Sequence, residues 1–141
     1  MITPCIHFQG NCSEAISFYE KALAAEVNDI SCAKDAPPDS GMDEFPPNYV
    51  MYSEVDICGI TFMLSDGGET PIPYGNFSFM IAYDTAEEVK LTFEKLKAGG
   101  KVTEPLANTF WSELYGEVVD RFGVAWQVMV RHDKNFDEKG L

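Results

Sequence analysis

The chain carries one short plan twice. Asn11-Cys12-Ser13-Glu14 opens one helical pattern and Thr85-Ala86-Glu87-Glu88 opens another. A shift of 74 positions lays Tyr19-Glu20-Lys21 on Phe93-Glu94-Lys95 and Ala24 on Ala98. A strand-like run precedes each helix and strand-like runs follow it, so the chain is expected to fold as two similar modules with a cleft where they meet. At 141 residues, 45% of them hydrophobic, it has enough apolar material for one domain made of two packed halves. The expected division is a single domain over 1–141, with one module at 1–68, a second at 76–132, and a linker at 69–75 marked by Pro71 and Pro73.

Ten basic and twenty-three acidic side chains leave a net charge of -13. That charge repels phosphate backbones and anionic lipid, so neither nucleic acid nor a membrane surface is an expected partner. No apolar run reaches the roughly 20 residues of a membrane span, and the first residues lack a signal-peptide pattern. A cytoplasmic protein is the expectation, with Cys5, Cys12, Cys32 and Cys58 as thiols. The cysteines form no CxxC pair, and a Cys5, His7 and Cys12 ligand set would put two ligands on one short strand.

Residues 3–8 read as a strand ended by Gly10. Asn11 then caps a helix, with Glu14 at capping-box spacing and Ala15, Ile16, Tyr19 and Leu23 as its apolar stripe. Residues 26–32 return as a strand. Segment 35–48 holds four prolines and Gly41, which rules out a regular element and leaves a lid or a plain connection. Residues 49–56 and 57–65 form strands turning near Cys58-Gly59. The second half repeats the order: a strand at 76–83, a helix turning Val89, Phe93 and Leu96 inward and ending at Gly99-Gly100, then strands at 101–104, 115–120 and 125–131. A charged tail, expected to fray, follows His132.

Strand parity sorts the faces. Phe77, Phe79 and Ile81, then Ile60, Phe62 and Leu64, then Trp126, Val128 and Val130 make one large apolar side for helices to cover. Ser78, Met80, Ala82, Thr61, Met63, Ser65, Ala125, Gln127 and Met129 make the other. That mixed face is either a pocket wall or a solvent-facing or dimer-facing surface.

Three stretches carry a family resemblance. Thr3-Pro4, then His7-Phe8-Gln9-Gly10-Asn11-Cys12-Ser13-Glu14-Ala15 and Phe18-Tyr19, form the first. Met63-Leu64-Ser65-Asp66 forms the second. Thr109-Phe110-Trp111, Tyr115-Gly116 and Asp120-Arg121-Phe122-Gly123-Val124-Ala125-Trp126 form the third. In this order they resemble the PhnB-like family, some of whose members are labelled 3-demethylubiquinone-9 3-methyltransferase-like. It belongs to the vicinal-oxygen-chelate superfamily of glyoxalases and bleomycin-resistance proteins. The resemblance implies an α+β fold of two βαβββ modules forming an open U-shaped barrel around a cavity, and a homodimer. It also implies metal positions on inward-facing strands, which here fall on Pro4, Met63, Ser78 and Gln127. His7 lies three residues from Pro4, on the other face by parity. Proline has no donor side chain, methionine is soft, and serine and glutamine are weak, so no metal and no cofactor are expected.

No GxSxG elbow, HExxH motif or P-loop occurs. His7 is a candidate general base or a structural histidine, and Asp56, Asp66 and Asp120 read as turn residues. The methyltransferase label finds no glycine-rich strand-to-helix turn to support it: Gly10-Asn11 is short, and Gly99-Gly100 ends a helix. Phe110, Trp111 and Tyr115 sit among polar residues, fit either to stack on a planar ligand or to plug a barrel end. With Phe8, Met63, Ser78, Gln127 and Met129 they make the candidate ligand-binding set, with no catalytic residue assigned. The expected function is binding of a small, partly apolar or aromatic molecule. The alternative is a lyase, isomerase or dioxygenase, metal-free or with an atypical metal site.

Overall fold

Two helices of twelve residues, α1 (Cys12–Leu23) and α2 (Ala86–Lys97), start 74 positions apart, the offset of the internal repeat. The computed structural model describes residues 1–69 and 76–131. His132, the tail after it and most of the expected linker lie outside the described residues. The chain divides into two compact units, Met1–Thr70 and Pro71–Leu141.

In the first unit the strands are β1 (Cys5–Phe8), β2 (Glu26–Cys32), β3 (Val50–Ile57) and β4 (Ile60–Asp66), in the order β1-β4-β3-β2. β1 runs parallel to β4 and the other pairs are antiparallel. In the second unit β5 (Phe79–Tyr83), β6 (Lys101–Ala107), β7 (Tyr115–Val119) and β8 (Ala125–Val130) follow the same plan, β5-β8-β7-β6. Each unit is thus a βαβββ module whose open sheet carries one helix.

The helix-covered face of each sheet is its core. Ala15, Ile16, Tyr19 and Leu23 of α1 are buried, as are Val55, Ile57, Phe62 and Leu64 of the strands it packs on. Val89, Phe93 and Leu96 of α2 are buried, with Ile81, Val118, Trp126, Val128 and Val130 beneath them. Burying each such side chain contributes about 1.5–3 kcal/mol. Ile60 and Phe77, placed on the covered side by parity, lie beyond the helices and are exposed.

The caps differ between the helices. Thr85 opens α2 in the expected way: its Oγ1 accepts from Glu88 N at 3.3 Å. At α1 the Asn11 side chain makes no capping bond and accepts instead from Gln9 N. Asp66, at the end of β4, takes over: Oδ1 accepts from Gly10 N (2.8 Å) and Cys12 N (2.9 Å), and Oδ2 from Val50 N (2.8 Å). A carboxylate satisfies the helix-start amides better than a neutral amide side chain does. Asp66 therefore ties α1, β3 and β4 together rather than shaping a local turn. Asp120 does serve its turn, accepting from Phe122 N (2.8 Å) and Val124 N (3.1 Å), and it also accepts from the buried Trp126 indole at 2.9 Å.

The proline-rich segment is pinned at its base. Ala33 N donates to Tyr49 O (2.8 Å), Lys34 N donates to Pro47 O (3.2 Å), and single 3-10 turns form at Ala33–Asp35 and Met42–Glu44. The β2–β3 connection spans 33–49, whereas the matching β6–β7 connection spans only 108–114. The extra residues thus form a loop closed on itself. β6 continues through Pro105 to Ala107, past the expected end at residue 104, with register shifts on either side of its Glu104–Glu117 pair.

Candidate functional site

On the helix-free face of the second sheet, strand register sets the neighbours. Gln127 lies opposite Met80 on β5 and Glu117 on β7, and Met129 lies opposite Ala82 and Tyr115. The side chains form a directed chain: Tyr115 Oη donates to Gln127 Oε1 at 2.8 Å, and Gln127 Nε2 donates to Ser78 Oγ at 2.7 Å. A serine hydroxyl also carries a proton of its own and a second lone pair, so the chain ends in a group able to donate and to accept.

Burial first, then the charge of Glu117, its hydrogen bond and the charge of Glu104 push the Tyr115 phenol up to about 12. At neutral pH Tyr115 therefore keeps its single phenolic proton, which it can place on Gln127 Oε1 or on the Glu117 carboxylate.

An aromatic rim adjoins it. Trp111 meets Tyr115 edge-on at 5.3 Å, and Phe110 meets Trp111 edge-on at 4.8 Å. Two residues outside the sequence-derived set hold this rim. Thr109 Oγ1 accepts from Ser112 N (3.0 Å) and Trp111 N (3.3 Å). The buried Ser112 hydroxyl reaches Val130 O at 2.8 Å and Leu114 O at 2.9 Å, tying the loop to the end of β8. The signal was present in the sequence: Thr and Ser flank Phe-Trp at a spacing suited to side-chain-to-backbone turns.

The structure thus brings together Ser78, Trp111, Tyr115, Gln127 and Met129 of the candidate set. Phe110 joins through Trp111 and is 97% exposed, while Met129 is buried. Met63 lies on the helix-free face of the first sheet. Phe8 belongs to the buried core of the first unit and is only 3% exposed. Parity on β1 turns it away from the helix-free face, because Cys5 and His7 occupy that side.

The same register bears out that His7 and Pro4 face opposite ways and corrects Pro4 as the inward position. Cys5 pairs with Met63 and His7 with Ser65, so both β1 residues share a face with Met63, and Pro4 does not. Pro4 contributes its carbonyl, which accepts from Met63 N at 2.9 Å. A hard divalent ion does not fit these residues. On the first sheet Pro4 has no side-chain donor and Met63 is a thioether; on the second, Ser78 and Gln127 are neutral and bonded to each other. Among the described residues no group of three or more His, Cys, Asp or Glu is placed to hold a metal.

Comparison with known proteins places the chain. The model of the family described as 3-demethylubiquinone-9 3-methyltransferase matches residues 1–129. Protein YjdN of Escherichia coli (strain K12) is 33% identical over 141 residues, covering 92% of this chain and 94% of that protein. The chain belongs to the PhnB-like family. A solved PhnB-like structure, the putative 3-demethylubiquinone-9 3-methyltransferase from Bacillus cereus, matches with TM-score 0.78 at 26% identity, covering 92% of this chain and 98% of that one. FosX, a fosfomycin resistance protein of Listeria monocytogenes, matches with TM-score 0.69 over 96% of this chain and 94% of its own. At 12% identity that likeness shows the fold alone, the glyoxalase and bleomycin-resistance fold that PhnB-like proteins share.

Proposed function

We propose that this PhnB-like protein binds a small, partly apolar or aromatic molecule against the helix-free face of its second sheet, without the usual metal ligands of the superfamily. The observation that carries this reading is the chain from Tyr115 through Gln127 to Ser78 beside the Trp111 rim. An aromatic edge and a directed row of donors and acceptors are what a planar ligand with one polar group needs.

The protonated Tyr115 supports binding over proton abstraction at this face, and so weighs against the lyase or isomerase reading there. The methyl-transfer description is not adopted. The Gly10 and Cys12 amides at the one glycine-bearing strand-to-helix turn of the first unit are filled by Asp66, so they are not free to hold the polar groups of a methyl donor. The net charge of -13 supports a protein without nucleic-acid or membrane partners. Family analogy supports a homodimer, and composition supports a cytoplasmic setting.

A panel of small phenols and aromatic amides tests the reading by thermal shift, since a ligand of the folded state stabilises by mass action. A binder is expected to lose about two- to tenfold in affinity on Trp111→Ala and on Gln127→Leu. No stabilisation by any member, or affinities that ignore both substitutions, would sink it.

A further inference from the structure

The first sheet carries a polar pair that the second-sheet site does not use. His7 on β1 and Ser65 on β4 are register partners on the helix-free face, and His7 Nδ1 lies 2.8 Å from Ser65 Oγ. Ser65 is buried and His7 is exposed. The Ser65 hydroxyl can donate to Nδ1 or accept from it, according to the tautomer, and donation is what satisfies its buried proton. A neutral imidazole that accepts at Nδ1 carries its own proton on Nε2. With the serine as donor, the ring carries its N–H on the side away from Ser65.

The position is held from a second direction. Gly68 N donates to Phe8 O at 2.7 Å, and a Cβ at Gly68 would overlap the carbonyl and Cβ of His7. The strand bearing His7 is thus clamped between its sheet partner and the chain that follows β4, which is the preorganisation a binding group requires. The next pair along this face is Cys5 and Met63, a thiol beside a thioether, soft and adaptable toward an apolar body. Glu54 lies opposite Met63, and Asp29 opposite Glu54. Their carboxylates disfavour an anionic ligand oxygen and tolerate a neutral one.

We infer that His7 is a binding residue for the carbonyl oxygen of a neutral small molecule, its Nε2–H donating to that oxygen while Ser65 fixes the tautomer. Ser65 is a positioning residue and His7 makes the contact. The site lies within the first unit and stands whether or not the second-sheet reading holds.

The chain has two histidines, so nitrogen-15 labelling of histidine followed by long-range proton–nitrogen NMR reads His7 directly. At about pH 8, where free imidazole is neutral, the wild-type protein is expected to show a protonated Nε2 and a bare Nδ1. Cyclohexanone is expected to shift the Nε2 signal, whereas methylcyclohexane and sodium cyclohexanecarboxylate at equal concentration leave it in place. Ser65→Ala is expected to mix the tautomers and weaken cyclohexanone binding about two- to tenfold. His7→Gln retains an N–H donor and should keep part of the affinity, while His7→Phe should lose it. This exposed pair decides the matter if Ser65→Ala fails to fold. A protonated Nδ1 in the wild type, a ketone that binds no better than methylcyclohexane, or a His7→Phe protein that binds like the wild type would overturn the proposal.

Discussion

The four cysteines separate by environment, and this gives their chemistry. Cys5 and Cys58 are exposed, whereas Cys12 and Cys32 are buried. Burial, with smaller contributions from Asp66 and Cys32, pushes the Cys12 thiol from 9.0 to about 12. The folded state therefore holds this proton more tightly than the unfolded chain does. Its contribution to stability is complete below pH 9 and is lost as pH rises from 9 to about 12. Urea unfolding at intervals across that range should show falling stability, and Cys12→Ala should flatten the decline. A thiol reagent at neutral pH should modify Cys5 and Cys58 quickly and Cys12 only on unfolding. The sequence supplied the thiols and their number; which of them are buried depended on α1 covering the first sheet.

The elements show where local signals suffice and where they fail. The α1 and α2 stripes were legible because spacing along one helix is set by the chain itself. The cap of α1 was not. Asn11 and Glu14 have capping-box spacing, yet Asp66 holds the first amides from 54 residues away. Glu14→Ala is thus expected to change stability by less than about 0.5 kcal/mol, the usual effect of a surface substitution. Asp66→Ala leaves the Gly10, Cys12 and Val50 amides without their carboxylate, and should cost about 3 kcal/mol. Chemical denaturation of the two variants distinguishes a local cap from a tertiary one. The 33–49 connection illustrates the same limit. Its prolines ruled out a regular element, but the Ala33–Tyr49 and Lys34–Pro47 bonds that close its base join residues only folding brings together.

At the scale of the whole molecule, charge is the dominant composition-level property. With -13 spread over 141 residues, and ion pairs such as Lys97 with Glu94 lying exposed on the surface, like-charge repulsion opposes folding. Sodium chloride screens it, so raising the salt from low to physiological strength should raise the melting temperature by about 3 °C, on the order of 1 kcal/mol for a chain of this size. A melting temperature that stays flat or falls with salt would contradict this. The sequence by itself determined the duplicated βαβββ plan, the two helix stripes and the family, because apolar spacing and turn residues act over a few neighbours. Tertiary structure decided what the faces present. The pairing of β1 with β4 put Cys5 and His7, rather than Pro4, beside Met63 and Ser65, and sent Phe8 into the core. The parallel pairing of β5 with β8 brought Ser78 to Gln127, and the β7–β8 register aligned Tyr115 with its acceptor. Alternation along a strand fixes only that neighbouring residues face opposite ways; which way is set by a partner strand 58 residues distant for His7 and Ser65, and no local pattern encodes that register.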